Sequence, residues 1–408
     1  MQNKQSTKYR VISVSLILLL LLPVLLTVTV GVAEASGSLF GDQTSLLRSL
    51  IMIAMAFLLD SFVGDQKVDT DSGDPPVTEI PGSDSSYPPV STIGPGEKEV
   101  LGFYVNWNSD TESYPALKKQ SSNIDMVAPF WYTITSTGAL ENKYGGKQRH
   151  VDNFTRQQGQ LILPLINNDK TNSAMLTNAN IRRKAINNIL KLVERNNYDG
   201  VNIDFEFIPH YTKDDFTTFM RELSQKLRSR GKMVTVSVFP KVKIPTDIMG
   251  AYDYQALAKY IDRMLIMTYD HHWSTGPAGP IAPLDWVEQN IQYAIRYVPS
   301  DKILLGIANY GRNWPNHGGK AQELSSKNAI QLAKNTGSTI RWDSNSKTPY
   351  FSYTDNRGTG RTVWYENSYS LDFKLRLVHK YNLKGIGIWR LGNSNQRFWD
   401  IIRKRLNK

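Results

Sequence analysis

From residue 99 to the C-terminus, short runs of β-branched and aromatic residues alternate with segments whose apolar positions recur every three or four residues. Eight runs read as strands, at residues 100–105, 126–132, 161–166, 201–205, 233–239, 264–269, 303–307 and 385–389. Between them, Ile181, Ala185, Ile189 and Leu192/Val193 form one helical stripe, and Phe216, Phe219, Leu223 and Leu227 form another. The second stripe carries end signals: Thr212 followed by Asp215 predicts a capping box, and Gly231 stands where a helix stop is expected. Repeated strand–helix units of this number predict an α/β fold, a (β/α)8 TIM barrel rather than an open sheet. One interval breaks the repeat. Residues 312–369 are too many for a single helix between the seventh and eighth strands. A helix at 324–335 and strands at 339–343, 349–353 and 361–365 predict a small α+β insertion that walls the barrel mouth.

Upstream the pattern is different. Residues 11–32 are uncharged and dominated by Leu, Val and Ile, and Lys4, Lys8 and Arg10 precede them. Positive charges before an apolar run keep the N-terminus cytoplasmic, so the remainder is expected outside the cytoplasm. Ala33-Glu34-Ala35 resembles a cleavage site, but the run exceeds the roughly 7–15 residues of a signal-peptide core and is long enough to span a bilayer. Residues 1–35 therefore read as a signal peptide or membrane anchor, with the anchor preferred. Residues 36–63 hold a second apolar helix whose apolar stretch, 46–63, has Arg48 and Asp60 near its ends; it reads as interfacial or partner-binding rather than spanning. Residues 64–98, rich in Asp, Ser, Pro and Gly, read as a linker, and the barrel domain occupies 99–408.

Charge narrows the partners. The chain carries a formal +11, but residues 1–98 hold six Lys/Arg against ten Asp/Glu, which leaves +15 on the barrel. A basic surface favours anionic polymers. The basic residues are scattered, not massed in one stripe with interleaved aromatics, so nucleic acid is not an expected partner. The absence of cysteine excludes disulfides, a thiolate nucleophile and a thiolate zinc site.

The chemistry concentrates in Tyr198-Asp199-Gly200-Val201-Asn202-Ile203-Asp204-Phe205-Glu206. Alternation along a strand turns Val201, Ile203 and Phe205 towards the helices and Asn202, Asp204 and Glu206 into the barrel. Glu206 then stands at the C-terminal end of its strand, where barrel enzymes place their chemistry, with Asp204 about 7 Å below it. Paired carboxylates of this kind differ in proton affinity or share a proton, which suits acid catalysis near neutrality. An Asp-x-Glu alone is common by chance; its weight comes from its place in the repeat and from two further strand ends. Met267-Thr268-Tyr269-Asp270 puts Met267 and Tyr269 on one face, and Gly385-x-Gly387-x-Trp389 sets an inward tryptophan above two glycines. A tryptophan floor and a tyrosine hydroxyl beside paired carboxylates suit a sugar. Tyr104, Trp107, Trp131, Asn167 and Trp273 are expected on the rim. His271-His272 has no further ligand at metal spacing, so no metal is assigned.

These residues carry a resemblance. Residues 99–408 resemble the family 18 glycoside hydrolases, whose fourth strand carries D-G-x-D-x-D-x-E, whose sixth ends in M-x-Y-D and whose eighth ends in tryptophan. The Asn variant D-G-V-N-I-D-F-E, Gly279-Pro280, Trp286-Val287 and Ile303-Leu304-Leu305-Gly306 look like the spore cortex-lytic and cell-wall branch of Gram-positive bacteria. The resemblance implies retaining, substrate-assisted hydrolysis, in which the N-acetyl oxygen of the substrate attacks the anomeric carbon. Glu206 would protonate the leaving oxygen and later activate water, Asp204 would orient the acetamide, and Tyr269 would hydrogen-bond it. Asp270 would contact the sugar and Trp389 would floor its subsite; Met267, Asn202, Tyr104, Trp131 and Asn167 complete the expected binding set. Asn202 departs from the usual third aspartate. No cofactor is implied. The expected substrate is an N-acetylglucosamine-containing polymer, most of all peptidoglycan, with chitin or a catalytically silent carbohydrate-binding barrel as the alternatives.

Overall fold

The computed structural model describes residues 98–107, 112–169 and 173–408. Both N-terminal apolar segments and the linker up to residue 97 lie outside the described residues; among those described, no helix is long and apolar enough to cross a membrane.

Eight parallel strands close on themselves. They are β1 (Glu99–Tyr104), β2 (Met126–Ile134), β3 in two pieces (Leu161–Ile162 and Leu165–Asn168), β4 (Gly200–Asp204), β5 (Met233–Val238), β6 (Arg263–Ile266), β7 (Ile303–Ala308) and β8 (Gly385–Trp389). Each pairs with its neighbours in order, and β1 pairs with both β2 and β8, so no edge remains. The expected (β/α)8 barrel is the fold.

Two apolar layers follow from strand alternation. Outside the ring, Val201, Ile203 and Phe205 of β4 pack with Phe216, Phe219 and Leu223 of helix Lys213–Arg228 and with Ile186 and Ile189 of helix Ala179–Asn196. Inside it, Leu101, Phe103, Met126, Ala128, Leu165, Leu265 and Leu304 form a plug. Gly387 leaves room for the plug, because a Cβ at that position would fall 1.8 Å from Leu265 Cδ1 and force that side chain to move.

Helix ends depart partly from expectation. Asn178 caps helix Ala179–Asn196, its Oδ1 accepting from the N–H groups of Asn180 and Ile181. The Thr212/Asp215 capping box does not form. Thr212 Oγ1 instead donates to Pro209 O at 2.7 Å within the turn that precedes the helix, so its hydroxyl is not offered as a cap. Gly231 follows that helix at φ +67°, a conformation that glycine adopts without strain.

The insertion is larger than its apolar runs predicted. Five antiparallel strands lie in the order Gln322–Ser325, Tyr310–Pro315, Gly360–Tyr365, Thr348–Thr354 and Arg341–Asp343, and helix Ser326–Asn335 packs over Phe351, Val363 and Tyr365. Two of these strands were not expected. Tyr310–Pro315 leaves β7 after a single residue, and its Tyr-Gly-Arg-Asn-Trp-Pro composition has no strand periodicity; it is extended because it pairs on both sides.

Candidate active site

Asp204 and Glu206 stand at and just beyond the C-terminal end of β4, which is the mouth of the barrel. Asp204 is buried, and burial pushes its carboxyl up to about 7 against the opposing hydrogen bond from Asn167. That bond, Asn167 Nδ2 to Asp204 Oδ2, spans 3.4 Å and brings the end of β3 onto the carboxylate. Glu206 is held by its backbone. Asn168 Oδ1 accepts from Glu206 N–H at 2.8 Å, and Asn168 Nδ2 donates to Glu206 O at 3.0 Å. One residue earlier, the buried Tyr252 hydroxyl donates to Phe205 O at 2.6 Å. The carboxylate-bearing end of β4 is therefore fixed by side chains where the sheet ladder stops.

The phenol of Tyr269 is raised well above its ordinary range, first by burial and then by the charges of Asp204, Glu206 and Asp270 around it. It stays a neutral donor at any working pH. Tyr252 is raised in the same way, by burial and then by Glu206 and Asp204. Asp270 adopts φ +57° after β6 and accepts at Oδ1 from the Tyr310 hydroxyl at 2.5 Å and from Arg312 Nη2 at 2.7 Å. Burial works against the charge on Arg312, but Asp270, Tyr310 and Glu323 hold it protonated. Tyr310 and Arg312 belong to the first strand of the insertion, so the insertion closes this side of the cleft through Asp270. Neither residue was foreseen, because contacts some 40 residues apart leave no local pattern.

An aromatic arc runs from Trp389, which also packs with Tyr310 and Trp314 of the insertion. Trp389 lies 5.4 Å from Phe103 and 6.1 Å from Trp107; Trp107 lies 5.8 Å from Tyr144, and Tyr144 lies 5.5 Å from Phe130, all between ring centroids. Met267 is buried beneath, in the inner plug that Trp389 and Tyr269 cover.

Three expected contacts are corrected. Tyr104 and Trp131 are fully buried in the outer layer, 6.3 Å apart, and Tyr104 donates to Gln148 Oε1. The inward residues of β1 and β2 are Leu101 and Phe103, and Met126, Ala128 and Phe130, so the neighbouring Tyr104 and Trp131 face the helices. Asn202 does point inward but lies one layer below the mouth, fully buried. Its amide donates to Ser237 Oγ at 3.0 Å and accepts from Thr235 Oγ1 at 2.9 Å, so it supports the site from beneath instead of touching a substrate. Trp273, expected on the rim, is exposed.

Among the described residues, no group of three or more His, Asp or Glu side chains is arranged to hold a metal ion. His271 packs tilted against Trp286, 4.7 Å between centroids, and burial lowers its pKa to about 4.

Residues 99–394 match the model of the glycosyl hydrolases family 18. The chain belongs to that family. The sporulation-specific glycosylase YdhD, so named, of Bacillus subtilis strain 168 is 31% identical over 322 residues, covering 76% of this chain and 75% of that one. Among solved structures, the Bacillus cereus spore cortex-lytic enzyme SleL superposes with a TM-score of 0.70 at 25% identity, over 76% of this chain and 74% of its own. A chitinase from Chromobacterium violaceum superposes with a TM-score of 0.71 at 27% identity, over 76% and 99%. The family 18 match spans all eight barrel strands and therefore the carboxylate pair, the Tyr269–Asp270 end of β6 and the Trp389 end of β8.

Proposed function

We propose that this family 18 hydrolase cleaves the glycan of peptidoglycan at N-acetylglucosamine, by retaining, substrate-assisted catalysis with Glu206 as acid and base. The observation that carries the reading is the mouth of β4, where Glu206 is latched in place beside a buried Asp204 whose proton is poised near neutrality. A sugar seated on Trp389 presents its acetamide to Tyr269 and Asp204. Tyr269 donates to the acetamide oxygen, and Asp204, able to release its proton near pH 7, faces the positive charge that grows as that oxygen attacks the anomeric carbon. Glu206 gives its proton to the leaving oxygen and then takes one from water. Asn202, where family members often carry an aspartate, puts a neutral amide under Asp204, so proton traffic stays within the upper pair. The +15 of residues 99–408 favours a wall polymer that bears carboxylates over neutral chitin, and two of the relatives are by their names a sporulation-specific glycosylase and a spore cortex-lytic enzyme. In this reading the domain works outside the cytoplasm, tethered by residues 11–32.

The test is reducing-end release by the full chain and by Glu206→Gln, from purified peptidoglycan and from chitin oligomers, with product masses. Glu206→Gln should lose about a hundredfold or more, the range for removing a general acid. Preferential turnover of chitin would replace the substrate, and binding without turnover of either would make the barrel a carbohydrate receptor.

A further inference from the structure

Beside Trp389 stands a guanidinium whose hydrogen-bonding capacity is only partly used. Arg390 follows Trp389 directly, and its backbone is gripped by Asn309: Nδ2 donates to Arg390 O at 2.8 Å and Oδ1 accepts from Arg390 N–H at 3.1 Å. Asn309 is itself fully buried. The guanidinium lies over the ring of Trp107, 5.2 Å from its centroid. Both the root and the head of the side chain are thus placed, beside the aromatic arc of the cleft.

Its polar contacts are poor for so ordered a group. Nη1 donates to Glu112 Oε2 at 3.2 Å, and Nε is buried with no hydrogen-bond partner. The Arg390 side chain is 12% exposed and that of Glu112 is 47% exposed. A long, single contact to a solvated carboxylate is weak and easily exchanged. Arg312, by contrast, is committed to Asp270. Glu323, paired across the insertion strands with Arg312, also feels Arg390, but no hydrogen bond joins them. An arginine fork matches the two oxygens of a carboxylate, and stacking on an aromatic face presets it for that contact.

We infer that Arg390 receives a carboxylate carried by the substrate, on the sugar next to the one seated on Trp389, with Glu112 holding that place in the free protein. The acidic lactyl group of muramic acid, or the short peptide attached to it, has this chemistry; the inference deepens the function proposed above and rests on it. On binding, the substrate carboxylate takes the Arg390 fork and Glu112 returns to water. A neutral polymer of N-acetylglucosamine has nothing to offer there, so Arg390 discriminates by substituent and not by sugar ring.

The experiment uses two soluble oligomers of the same length, one with free carboxylates and one with those carboxylates converted to methylamides. It measures kcat/KM for the full chain and for Arg390→Gln, and Kd for both oligomers in the Glu206→Gln background. The acid-to-neutral ratio should be about tenfold or more in the parent, as for a charge-assisted hydrogen bond, and should fall towards one in Arg390→Gln. Because each ratio comes from one preparation, a partly misfolded variant does not distort it, and Arg390→Lys should keep part of it. A parent ratio near one, or an unchanged ratio in Arg390→Gln, overturns the inference while turnover of both oligomers leaves the hydrolase reading standing. If neither oligomer is turned over, the hydrolase reading fails and the Kd ratio alone decides the role of Arg390.

Discussion

Replacing Asn168 by Ala removes both hydrogen bonds that latch the Glu206 backbone, at 2.8 and 3.0 Å, without touching the Glu206 side chain. Asn168 is buried and Glu206 only half-buried, so water reaches part of what is lost. An unsatisfied buried backbone group costs about 1–3 kcal/mol; with partial solvation the loss in stability should be about 1–3 kcal/mol for the pair. The larger effect is on catalysis, since displacing a reacting group by about 1 Å costs on the order of a hundredfold. Asn168→Asp separates the two contacts. Its carboxylate accepts from Glu206 N–H but cannot donate to Glu206 O, whereas its protonated form can do both. Urea denaturation and kcat on soluble oligomers, measured from pH 5 to 8, should rank Asn above Asp above Ala, with the Asp variant recovering relative to the parent as the pH falls. A variant Asn168→Ala that loses stability as stated yet keeps kcat within about threefold would refute the positioning role and leave the latch as packing alone.

Two further outcomes are expected. Lys374 and Glu366 form an ion pair at 2.7 Å with side chains 1% and 2% exposed, so Lys374→Met strands a buried carboxylate and should cost about 3–5 kcal/mol in chemical denaturation, largely recovered by adding Glu366→Leu. Asp204 has a folded-state pKa raised from its ordinary 3.8 to about 7, so the folded state binds more protons than the unfolded one across that interval and stability falls as pH rises through it. Asp204→Asn should therefore gain thermal stability relative to the parent at pH 8, by an amount on the order of a few kcal/mol, and lose that advantage near pH 4; a constant difference between the two pH values would contradict a raised pKa.

The barrel was legible because eight apolar runs of strand length recur between helical stripes, and because parity at β4 separates Val201, Ile203 and Phe205 from Asn202 and Asp204 without ambiguity. Parity was harder at β1 and β2, where Phe103-Tyr104 and Phe130-Trp131 put an aromatic on each face. The residue with a polar handle attracts a functional reading there, although the alternation counted from Leu101 and from Met126 brings the phenylalanines inward. The latches left no signal: Asn167 stands out at the end of the third strand, but nothing in the pattern marks Asn168 beside it, or Asn309 between two apolar runs. Tyr310 and Arg312 were invisible for a different cause: they meet Asp270 only because an insertion strand with no periodicity of its own is paired on both edges.

Asn168 and Asn309 share one consequence. A side-chain amide is a peptide group on a short stalk, and each of these asparagines stands in for the neighbouring strand that Glu206 and Arg390 no longer have. Since the grip is on backbone atoms alone, it is indifferent to what the gripped residue carries. The mouth of this barrel is built as two sockets, in which the chemistry at positions 206 and 390 can be exchanged while the sheet that bears them stays as it is.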